Sequence, residues 1–544
     1  MTVLTVSVAV GAGGPRTLLE SADEAVARIP SNATVAVGGS GSLLQVPESL
    51  LAALERRFVE TRSPTGLEVL HVMGLGDTNG RGVDHLAHDG LVRRFIGSHF
   101  VLSPREQDMI AENRVEALGI PAGSLSLLYR EIAARRPGLF TDIGLGTFVD
   151  PRSGGGRLND VPTRAISQIV ELGGEPWIHY PRFDIDVALL RGSTVDELGN
   201  VSMDDEAAFS DNLALAQAVH NSGGIVIVEV LRRVDAGRLP ASTVRIPGAL
   251  VDVAVLTDWP NITPTTLSDP RRTGVDPADE TSVASLALDA RKLVARRALC
   301  EIADGDVVNL GVGMANGISY CALEEGLLSR FALTIEQGVY GGLPGIGLES
   351  GTAINPTAII DMPSQFDFYD GGGLDFAGLA FAQVDAAGNV NVAKVGGRPI
   401  GPGGFIDISQ KAATVVFCGT LRGGGGQVRI TEDGVEPVRE GRYAKFVPAV
   451  ESVAFNADDA RRRGQRVVYV TERAVFELTA SGIELTEIAP GLDLERDVIA
   501  GMGFRPAVSA VLRTMDLRLF RLGTAGIVLR TSKQGRHDKE NSDE

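Results

Sequence analysis

The chain has 544 residues, of which 44% are hydrophobic and 5% aromatic, with 66 glycines, 26 prolines and a formal net charge of −18. This length predicts two large globular domains, and the acidic balance disfavours non-specific binding to nucleic acid or anionic lipid. The three cysteines, Cys300, Cys321 and Cys418, have no CxxC spacing, so neither a disulfide framework nor a thiolate metal site is expected, and a reducing cytoplasm fits best.

The N-terminal segment predicts a soluble protein. Residues 1–29 lack the basic start and the continuous apolar run of a signal peptide. No window of the chain approaches the roughly 18 uninterrupted apolar residues of a membrane-spanning helix. We therefore expect a cytoplasmic protein with no membrane partner.

Two glycine-rich turns echo each other along the chain. Residues 32–41 (NATVAVGGSG) and 304–313 (DGDVVNLGVG) each combine a turn, a short β run and a glycine bend, and each then enters a helix-like stretch. Residues 288–304, just before the second bend, have apolar side chains at helical spacing. Further short Val/Ile-rich runs predict buried strands of a mostly parallel sheet. The predicted fold class is α/β, with two related open α/β domains that arose by internal duplication.

A segment near the midpoint of the chain predicts the domain boundary. Residues 258–284 are rich in Pro, Thr, Asp and Ser and have almost no hydrophobic periodicity, as expected of a linker. The expected organisation is an N-terminal domain over 1–257, this linker, a C-terminal domain over 285–530 and a polar, disordered tail over 531–544.

One carboxylate stands at the end of a predicted strand in the C-terminal half. In LTIEQGVYGGLPGIG, residues 333–347, Glu336 directly follows an apolar β run and precedes a cluster of glycines. Open α/β sheets bind their ligands at the carboxyl edge, so this position favours a functional role. The alternative is a surface glutamate that caps the amides of the following GVYGG turn.

A glycine-rich loop, GVGMANG at 311–317, also follows a predicted strand. Such a loop lets backbone amides approach a phosphate or a pantetheine chain, but it is neither a GxGxxG nor a P-loop motif. The alternative is a tight structural turn that uses glycine for its positive φ. The pattern alone leaves both interpretations open.

Four segments of the C-terminal half form a distinctive series, in chain order EQGVYGGLP, AIIDMPSQFDFYDGGGLD, GNVNVAKVGG and GGFIDISQ. Together they resemble the family I CoA-transferases, specifically the single-chain acetate/propionate type of the 3-oxoacid CoA-transferase superfamily. Segments of the N-terminal half, such as VGGSGSLLQVPESLLAALE, resemble the same family, so the similarity covers roughly residues 30–510. The fold that this implies is the ribose-phosphate-isomerase/CoA-transferase-like α/β fold.

The resemblance implies a reaction and its nucleophile. The glutamate of the family's ExGxxGG segment matches Glu336. It implies a ping-pong transfer of CoA from a short-chain acyl-CoA to a carboxylic acid through a glutamyl-CoA thioester, with no metal and no tightly bound cofactor. Coenzyme A enters as the thioester substrate, and a homo-oligomer, dimer or tetramer, is expected.

The resemblance also implies residues that stabilise the oxyanion or line the CoA channel. The amide of Gly404 is the expected oxyanion donor, with Gly403 as its competitor. The family's second donor is usually a glutamine, but here Ala122 stands before Gly123, so its backbone or a neighbour such as Ser124 would have to substitute. Residues expected to contact CoA are Gly311, Gly313, Asn355, Gln365, Gly371, Gly372, Gly373, Lys394 and Gly403.

Two alternatives remain at the level of sequence. An acyl-CoA hydrolase on the same fold would use water to resolve the enzyme thioester, and a non-catalytic CoA or acyl-CoA sensor would only bind.

Four histidines, His71, His85, His88 and His99, include an HLAH segment that lacks the HExxH glutamate. We expect satisfied or surface imidazoles there, and no metal site.

Overall fold

The structure is a computed structural model that describes residues 18–162, 164–260, 262–277 and 283–531. The predicted linker at 258–284 is therefore described in part, and the predicted tail lies outside the described residues except for Thr531. Within these residues no helix combines the length and the apolar character needed to cross a bilayer.

The N-terminal half is built on a fully parallel sheet of eight strands. These are β1 (Leu18–Glu20), β2 (Thr34–Val37), β3 (Leu67–His71), β4 (Val92–Gly97), β5 (Glu116–Gly119), β6 (Val187–Arg191), β7 (Ile225–Val230) and β8 (Val253–Leu256). Their order is β1-β8-β7-β6-β2-β3-β4-β5. Every residue of β3 and β6 is buried, as expected for strands covered on both faces.

The C-terminal half contains a mixed sheet of ten strands. These are β9 (Val307–Leu310), β10 (Ala332–Ile335), β11 (Val339–Tyr340), β12 (Ala358–Ile359), β13 (Phe376–Ala380), β14 (Thr414–Cys418), β15 (Arg466–Val470), β16 (Ala474–Thr479), β17 (Gly482–Ile488) and β18 (Ala507–Thr514). Their order is β12-β11-β10-β9-β13-β14-β15-β16-β17-β18. The five central strands, from β10 to β15, run parallel, so their carboxyl ends share one edge.

Helices connect and cover the strands. They are α1 (Ala22–Ala27), α2 (Glu48–Thr61), α3 (Pro104–Ala111), α4 (Ala122–Ala133), α5 (Asn212–Ser222), α6 (Pro270–Thr273), α7 (Ala290–Leu299), α8 (Gly317–Glu324), α9 (Met362–Asp370), α10 (Phe405–Lys411) and α11 (Ala457–Arg462). Helix α7 begins where Asp289 accepts a hydrogen bond from the amide of Lys292, a favourable N-cap.

Both halves also contain smaller sheets. In the N-terminal half they comprise Thr194–Asp196, Val201–Ser202, Arg232–Val234 and Val244–Ile246 in one sheet and Gly138–Thr141, Gln168–Leu172 and Glu175–Pro181 in another. In the C-terminal half they are the pairs Leu343–Pro344 with Ala353–Ile354, Gln383–Val384 with Val390–Asn391, Lys394–Val395 with Arg398–Pro399, Arg422–Gly423 with Tyr443–Ala444, and Gln427–Thr431 with Gly434–Arg439.

The predicted α/β class with mostly parallel sheets is confirmed. Both echoed segments form a strand, a glycine bend and a following helix, namely β2 with α2 and β9 with α8. Helix α7 lies within the predicted helical stretch at 288–304. Internal duplication and the exact domain boundaries remain predictions, although the two large sheets do lie on either side of 258–284.

The two halves meet through the segment at 398–403. The amide of Phe100 donates to the carbonyl of Ile400 at 2.9 Å, and Gln107 Nε2 donates to the carbonyl of Pro399 at 2.6 Å. Arg398 adds an ion pair with Asp108 at 2.6 Å. We call residues 398–403 the clasp, because they fix the C-terminal half against β4 and α3 of the N-terminal half.

Candidate active site

Glu336 lies at the carboxyl edge of the C-terminal sheet, directly after β10. The amide of Gly338 donates to the carbonyl of Ile335 at 2.9 Å, which closes a tight turn into β11. Gly338 has φ +92°, and a Cβ there would overlap with the carbonyl oxygen of Ile360, so the turn requires glycine. The sequence pattern therefore places the carboxylate on a rigid strand-to-strand turn.

The Glu336 side chain is half-buried, and one oxygen of its carboxylate is shielded from solvent and unpaired. Its Oε2 atom is buried and has no hydrogen-bond partner among the described residues. Burial raises the pKa of Glu336 to about 7, although the Gln337 side chain opposes the shift. The carboxylate thus does not cap the glycine amides that follow it, which was the alternative interpretation of this residue.

Gly404 forms the other wall of the site. It is the residue immediately before α10, with φ −85°. A Cβ on Gly404 would overlap with Oε2 of Glu336, so the absence of a side chain is what lets the carboxylate approach the start of this helix. The Gly404 amide has no acceptor within the part of the chain that the structure describes.

Gly403 has both of its backbone polar groups engaged. Its amide donates to the carbonyl of Ser98 at 2.7 Å, and its carbonyl accepts from the amide of Ala122 at 2.9 Å. Of the two glycines that the sequence left in competition, Gly404 therefore has the free donor, and Gly403 is the last residue of the clasp.

Ala122 and Gly123 lie at the first turn of α4, next to the clasp. The Ala122 side chain is buried and its amide is already bonded to Gly403, so neither part of this residue is a free donor. The hydroxyl of Ser124 is buried with no described partner. Among the groups considered in place of the family's glutamine, the Ser124 hydroxyl is the one that stays available.

Three of the predicted CoA contacts, Gly311, Gly313 and Gln365, lie toward the carboxyl edge with Glu336, whereas Asn355 precedes β12, which runs in the same direction as β10. Gly311 and Gly313 follow β9, the strand next to β10, and Gly313 has φ +100° in an exposed turn. Gln365 in α9 is fully buried, and neither atom of its amide has a hydrogen-bond partner among the described residues. Asn355 has φ +57° and its amide donates to the carbonyl of Arg271 at 2.8 Å.

Lys394 lies in the two-stranded hairpin that leads into the clasp. Its side chain is half-buried, and among the described residues no carboxylate pairs with it. A cation without an ion pair is suited to a phosphate, and the contact of Lys394 with a CoA phosphate stays a prediction.

The structure does not bring Gly371, Gly372 and Gly373 to this site. They follow α9 and precede β13, so they lie at the amino edge of the parallel strands, opposite Glu336. Their amides donate to the carbonyls of Asp367, Tyr369 and Phe368, respectively, and so terminate α9.

Three further polar side chains near this edge were not singled out by the sequence reasoning as site residues. Asp407, in the first turn of α10, is fully buried. His99 lies 4.0 Å from the position of a Cβ on Gly403, and burial lowers its pKa to about 4. Lys445 stands over the ring of Phe381 at 4.2 Å, and burial lowers its pKa to about 8. Only Asp407 had a visible signal, an acid three residues after the GG pair.

The other histidines hold structural hydrogen bonds. His71 Nε2 bonds with Glu106 at 2.8 Å inside the core. His85 lies between Glu48 and Glu55, and His88 bonds with Glu55 at 2.7 Å. In the described ranges, no group of three or more His, Cys, Asp and Glu side chains is arranged to hold a metal ion.

Comparisons with known proteins agree on one family. The family model described as coenzyme A transferase matches residues 19–256. Acetate CoA-transferase YdiF of Escherichia coli (strain K12) is 43% identical over 512 residues, covering 94% of this chain and 96% of that protein. Caffeate CoA-transferase of Acetobacterium woodii is 41% identical over 508 residues, covering 92% of this chain and 97% of that protein.

Solved structures show the same similarity. The crystal structure of acyl-CoA transferase YdiF apoenzyme from Escherichia coli O157:H7 superposes with a TM-score of 0.91 at 41% identity, over 95% of this chain and 99% of that chain. A second crystal structure of that protein, a thioester complex with CoA, matches with the same values.

The space around the two glycines predicts opposite effects of the same substitution. Gly404→Ala keeps an ordinary φ but drives a methyl group into Oε2 of Glu336, so any reaction at Glu336 should be lost while the unfolding midpoint changes little. Gly403→Ala meets its nearest atom at 4.0 Å but sits at φ +53°, which costs roughly 1 kcal/mol in stability. The measurement is activity and chemical denaturation of both variants.

The matched pair of variants, Gly404→Ala and Gly403→Ala, distinguishes steric overlap with Glu336 from backbone strain. Gly403→Ala should lose far less activity than Gly404→Ala and more stability. The reverse ranking in both assays would contradict the geometry of the Glu336 carboxylate described above.

The raised pKa of Glu336 predicts a pH-dependent stability effect. A folded-state pKa of about 7 against an ordinary 4.5 means that the ionised form destabilises the fold by roughly 3 kcal/mol. The wild type therefore has its full free energy of unfolding below pH 4.5, where Glu336 is protonated, and loses this contribution as the pH rises through 7. Glu336→Gln should be more stable than wild type at pH 8 and close to it at pH 5. Denaturation midpoints at both pH values provide the test.

A suitable control is Glu432→Gln, which makes the same change at an exposed turn. It should show no pH-dependent difference from wild type. An equal gain from both variants at pH 8 would mean that net charge, and not burial of Glu336, is responsible.

Proposed function

The chain belongs to the family I CoA-transferases, and from this premise we propose that it moves CoA from a short-chain acyl-CoA to a carboxylic acid through a thioester on Glu336. The observation that carries the proposal is the buried, unpaired Oε2 atom of Glu336 beside the free amide of Gly404. A nucleophile and a donor for the developing oxyanion are thereby neighbours.

The proposed reaction begins with attack on the donor thioester. A Glu336 oxygen bonds to the thioester carbonyl carbon, the C–S bond breaks, and an acyl-glutamyl anhydride and CoA thiolate result. The thiolate then attacks the glutamyl carbonyl, and the first acid leaves as its carboxylate. An acceptor carboxylate reverses both steps on the glutamyl-CoA thioester, so the thioester bond is conserved throughout.

Poor solvation of Glu336 supports the role of nucleophile. A carboxylate is weakly nucleophilic in water, and removal of its hydration raises its reactivity. The same burial that raises the pKa of Glu336 to about 7 leaves a large ionised fraction at neutral pH, so reactivity and availability are balanced.

The Gly404 amide supports stabilisation of the tetrahedral intermediates. Each addition step puts a negative charge on a former carbonyl oxygen, and the amide at the start of α10 is free to bind it. Loss of one such donor typically costs about 2.7 to 4 kcal/mol in the barrier. The clasp supports this role because its hydrogen bonds to the N-terminal half fix the chain directly before Gly404.

The CoA moiety requires a channel with amides, polar side chains and cations. We propose that Gly311, Gly313, Asn355 and Gln365 line it and that Lys394 meets a phosphate. Lys445 is a further cation at the same edge. Contacts with this remote part of the substrate would orient the thioester and so increase turnover as well as affinity.

The names of the relatives give the acids to test. The two similar enzymes are named for acetate and for caffeate, at 43% and 41% identity, which is too small a difference to choose between them. We propose that the acceptor is a short-chain acid and that the enzyme is a cytoplasmic homo-oligomer. Acetate, propionate and caffeate as acceptors form the panel that decides the acid.

The proposal predicts a covalent adduct. Incubation with acetyl-CoA or propionyl-CoA without an acceptor should increase the intact mass of the wild-type protein by that of CoA less one water, in a form that hydroxylamine releases and borohydride reduces. Glu336→Ala should show no increase. An unmodified wild-type protein would contradict the proposal.

The fate of the adduct distinguishes the reaction classes. A transferase adduct should persist in buffer and disappear when the acceptor acid is added, with the new acyl-CoA as product. A hydrolase adduct would decay in buffer alone, and a sensor would bind acyl-CoA without any adduct.

A further inference from the structure

Four aliphatic side chains near the end of the described chain are exposed to an unusual degree. Val511 is 76% exposed, and Leu522 and Val528 are each 77% exposed, which makes them the three most exposed large hydrophobic side chains of the described residues. Leu517, which lies between them in sequence, is 51% exposed. Single exposed aliphatic residues are ordinary, whereas a group of them indicates a surface that another molecule covers. We call these four side chains the apolar patch.

Val511 lies in a bulge at the edge of the C-terminal sheet. Strand β18 is the last strand of this sheet and pairs with β17 alone among the described strands. Leu485 of β17 is opposite Val508 and Glu487 is opposite Arg513, so residues 509–512 face a single residue of β17. Their sequence, SAVL, contains no charge. Sheet edges that are only protected from pairing usually carry Lys, Pro or inward-pointing charges, so this apolar bulge favours a contact.

Two further members of the patch lie near the end of the same strand. Thr514, the last residue of β18, and Val528 both line one open groove. Leu517 stands in sequence between two other residues of this lining, Asp516 and Arg518. The chain therefore returns to the end of β18 after leaving it, and the exposed aliphatic side chains share one end of the C-terminal half.

The charged residues around the groove are neutralised within the chain. Five arginines and four acids line it, a net charge of +1, and each of these arginines has a carboxylate partner at 2.6–3.0 Å. A polyanion or an anionic lipid surface binds cations that are free to pair with it, whereas these guanidinium groups are already paired. The chain as a whole carries −18. Two copies therefore repel each other less at this surface than at the acidic remainder.

The residues that follow the described chain lack the side chains to cover the patch. Residues 532–544, SKQGRHDKENSDE, directly follow Thr531 and contain no aliphatic residue and no Phe, Tyr or Trp. Burial of apolar surface is what makes such a contact favourable, and this segment has almost none to bury. A second copy of the chain does, because it presents the same four aliphatic side chains.

We propose that the apolar patch binds the same patch of a second copy across a two-fold axis, with the paired charges of the groove at the rim of the contact. In a contact of this symmetry one surface serves both subunits, so an apolar and nearly neutral surface is complementary to itself. An apolar centre with a polar rim is the usual composition of a subunit interface. The inference rests on the homo-oligomer of the proposed function and assigns its contact surface.

The mass of the native assembly tests the contact. The full chain is examined by size-exclusion chromatography with light scattering, without CoA, as wild type and as the double variant Val511→Asp/Val528→Asp. Wild type should contain two or four chains. The double variant should have half that mass, since burial of carboxylates against aliphatic side chains is strongly unfavourable. A double variant with the wild-type mass would overturn the inference.

Val275→Asp is the matched control, because it makes the same change at a valine that is 70% exposed and lies in the segment between the two large sheets. It should keep the wild-type mass. If Val275→Asp also lost half of the mass, added charge at any exposed valine would be enough to separate the subunits, and the assignment of the contact to the patch would be wrong.

Hydrogen exchange provides a second measurement on the bulge itself. The amides of residues 509–512 have no register partner on β17, so a partner subunit that covers them should slow their exchange in wild type relative to the double variant. Equal exchange in the two proteins would contradict the contact. If circular dichroism shows that the double variant does not fold, Leu522→Asp takes its place in both measurements.

Failure of the contact and failure of the proposed function are distinguishable. A wild type with the mass of a single chain would overturn the inference, and sedimentation of that monomer with phosphatidylserine vesicles would identify a membrane as the occupant of the patch instead. Neither result bears on the glutamyl-CoA adduct of Glu336, which is read from the intact mass of the denatured chain. An oligomer that forms no adduct would refute the proposed reaction and leave the contact standing.

Discussion

The site depends on the hydrogen bonds that hold the clasp to the N-terminal half. The carbonyls of Ser98 and Ile400 and the amides of Phe100, Ala122 and Gly403 are satisfied across this contact. Because the bonds stop at Gly403, the next amide along the chain, that of Gly404, is left free beside Glu336. The contact between the two halves thus leaves an amide donor in a fixed position next to a carboxylate.

Buried acids in this protein differ in how far hydrogen bonds and ion pairs compensate them. Glu229 in β7 also lies in the core, but its Oε2 atom accepts from the amide of Ser49 at 2.9 Å, and its Oε1 atom is 3.6 Å from Arg191. Glu336 and Asp407 have no comparable partners. A carboxyl that is buried without compensation destabilises the fold, and Asp211 is a further such group, with both oxygens buried and unpartnered among the described residues, so the lack of a partner alone does not mark a reactive carboxyl.

The sequence was sufficient to predict those features that depend only on neighbouring residues, such as strand ends and helices. The apolar run before Glu336 fixed its place at a strand end, and helical spacing located α7. Three consecutive glycines, however, look alike at either edge of a sheet, and only the strand directions place Gly371–Gly373 opposite Glu336. The choice between Gly403 and Gly404 likewise depends on Ser98 and Ala122, which are distant in sequence. Asp407 stood out weakly, because an acid in a first helical turn is commonplace.

The alanine at position 122 changes less of the site than its place in the family motif suggests. What the clasp requires from this residue is its amide, which bonds to the carbonyl of Gly403 at 2.9 Å. Any residue except proline supplies that amide. The substitution therefore removes a side-chain donor and leaves intact the backbone contact that positions Gly404. The hydroxyl of Ser124 is unpartnered among the described residues and the carboxyl of Asp407 lies against Gly123, so polar groups still lie at this turn of α4, where the family resemblance implied a glutamine.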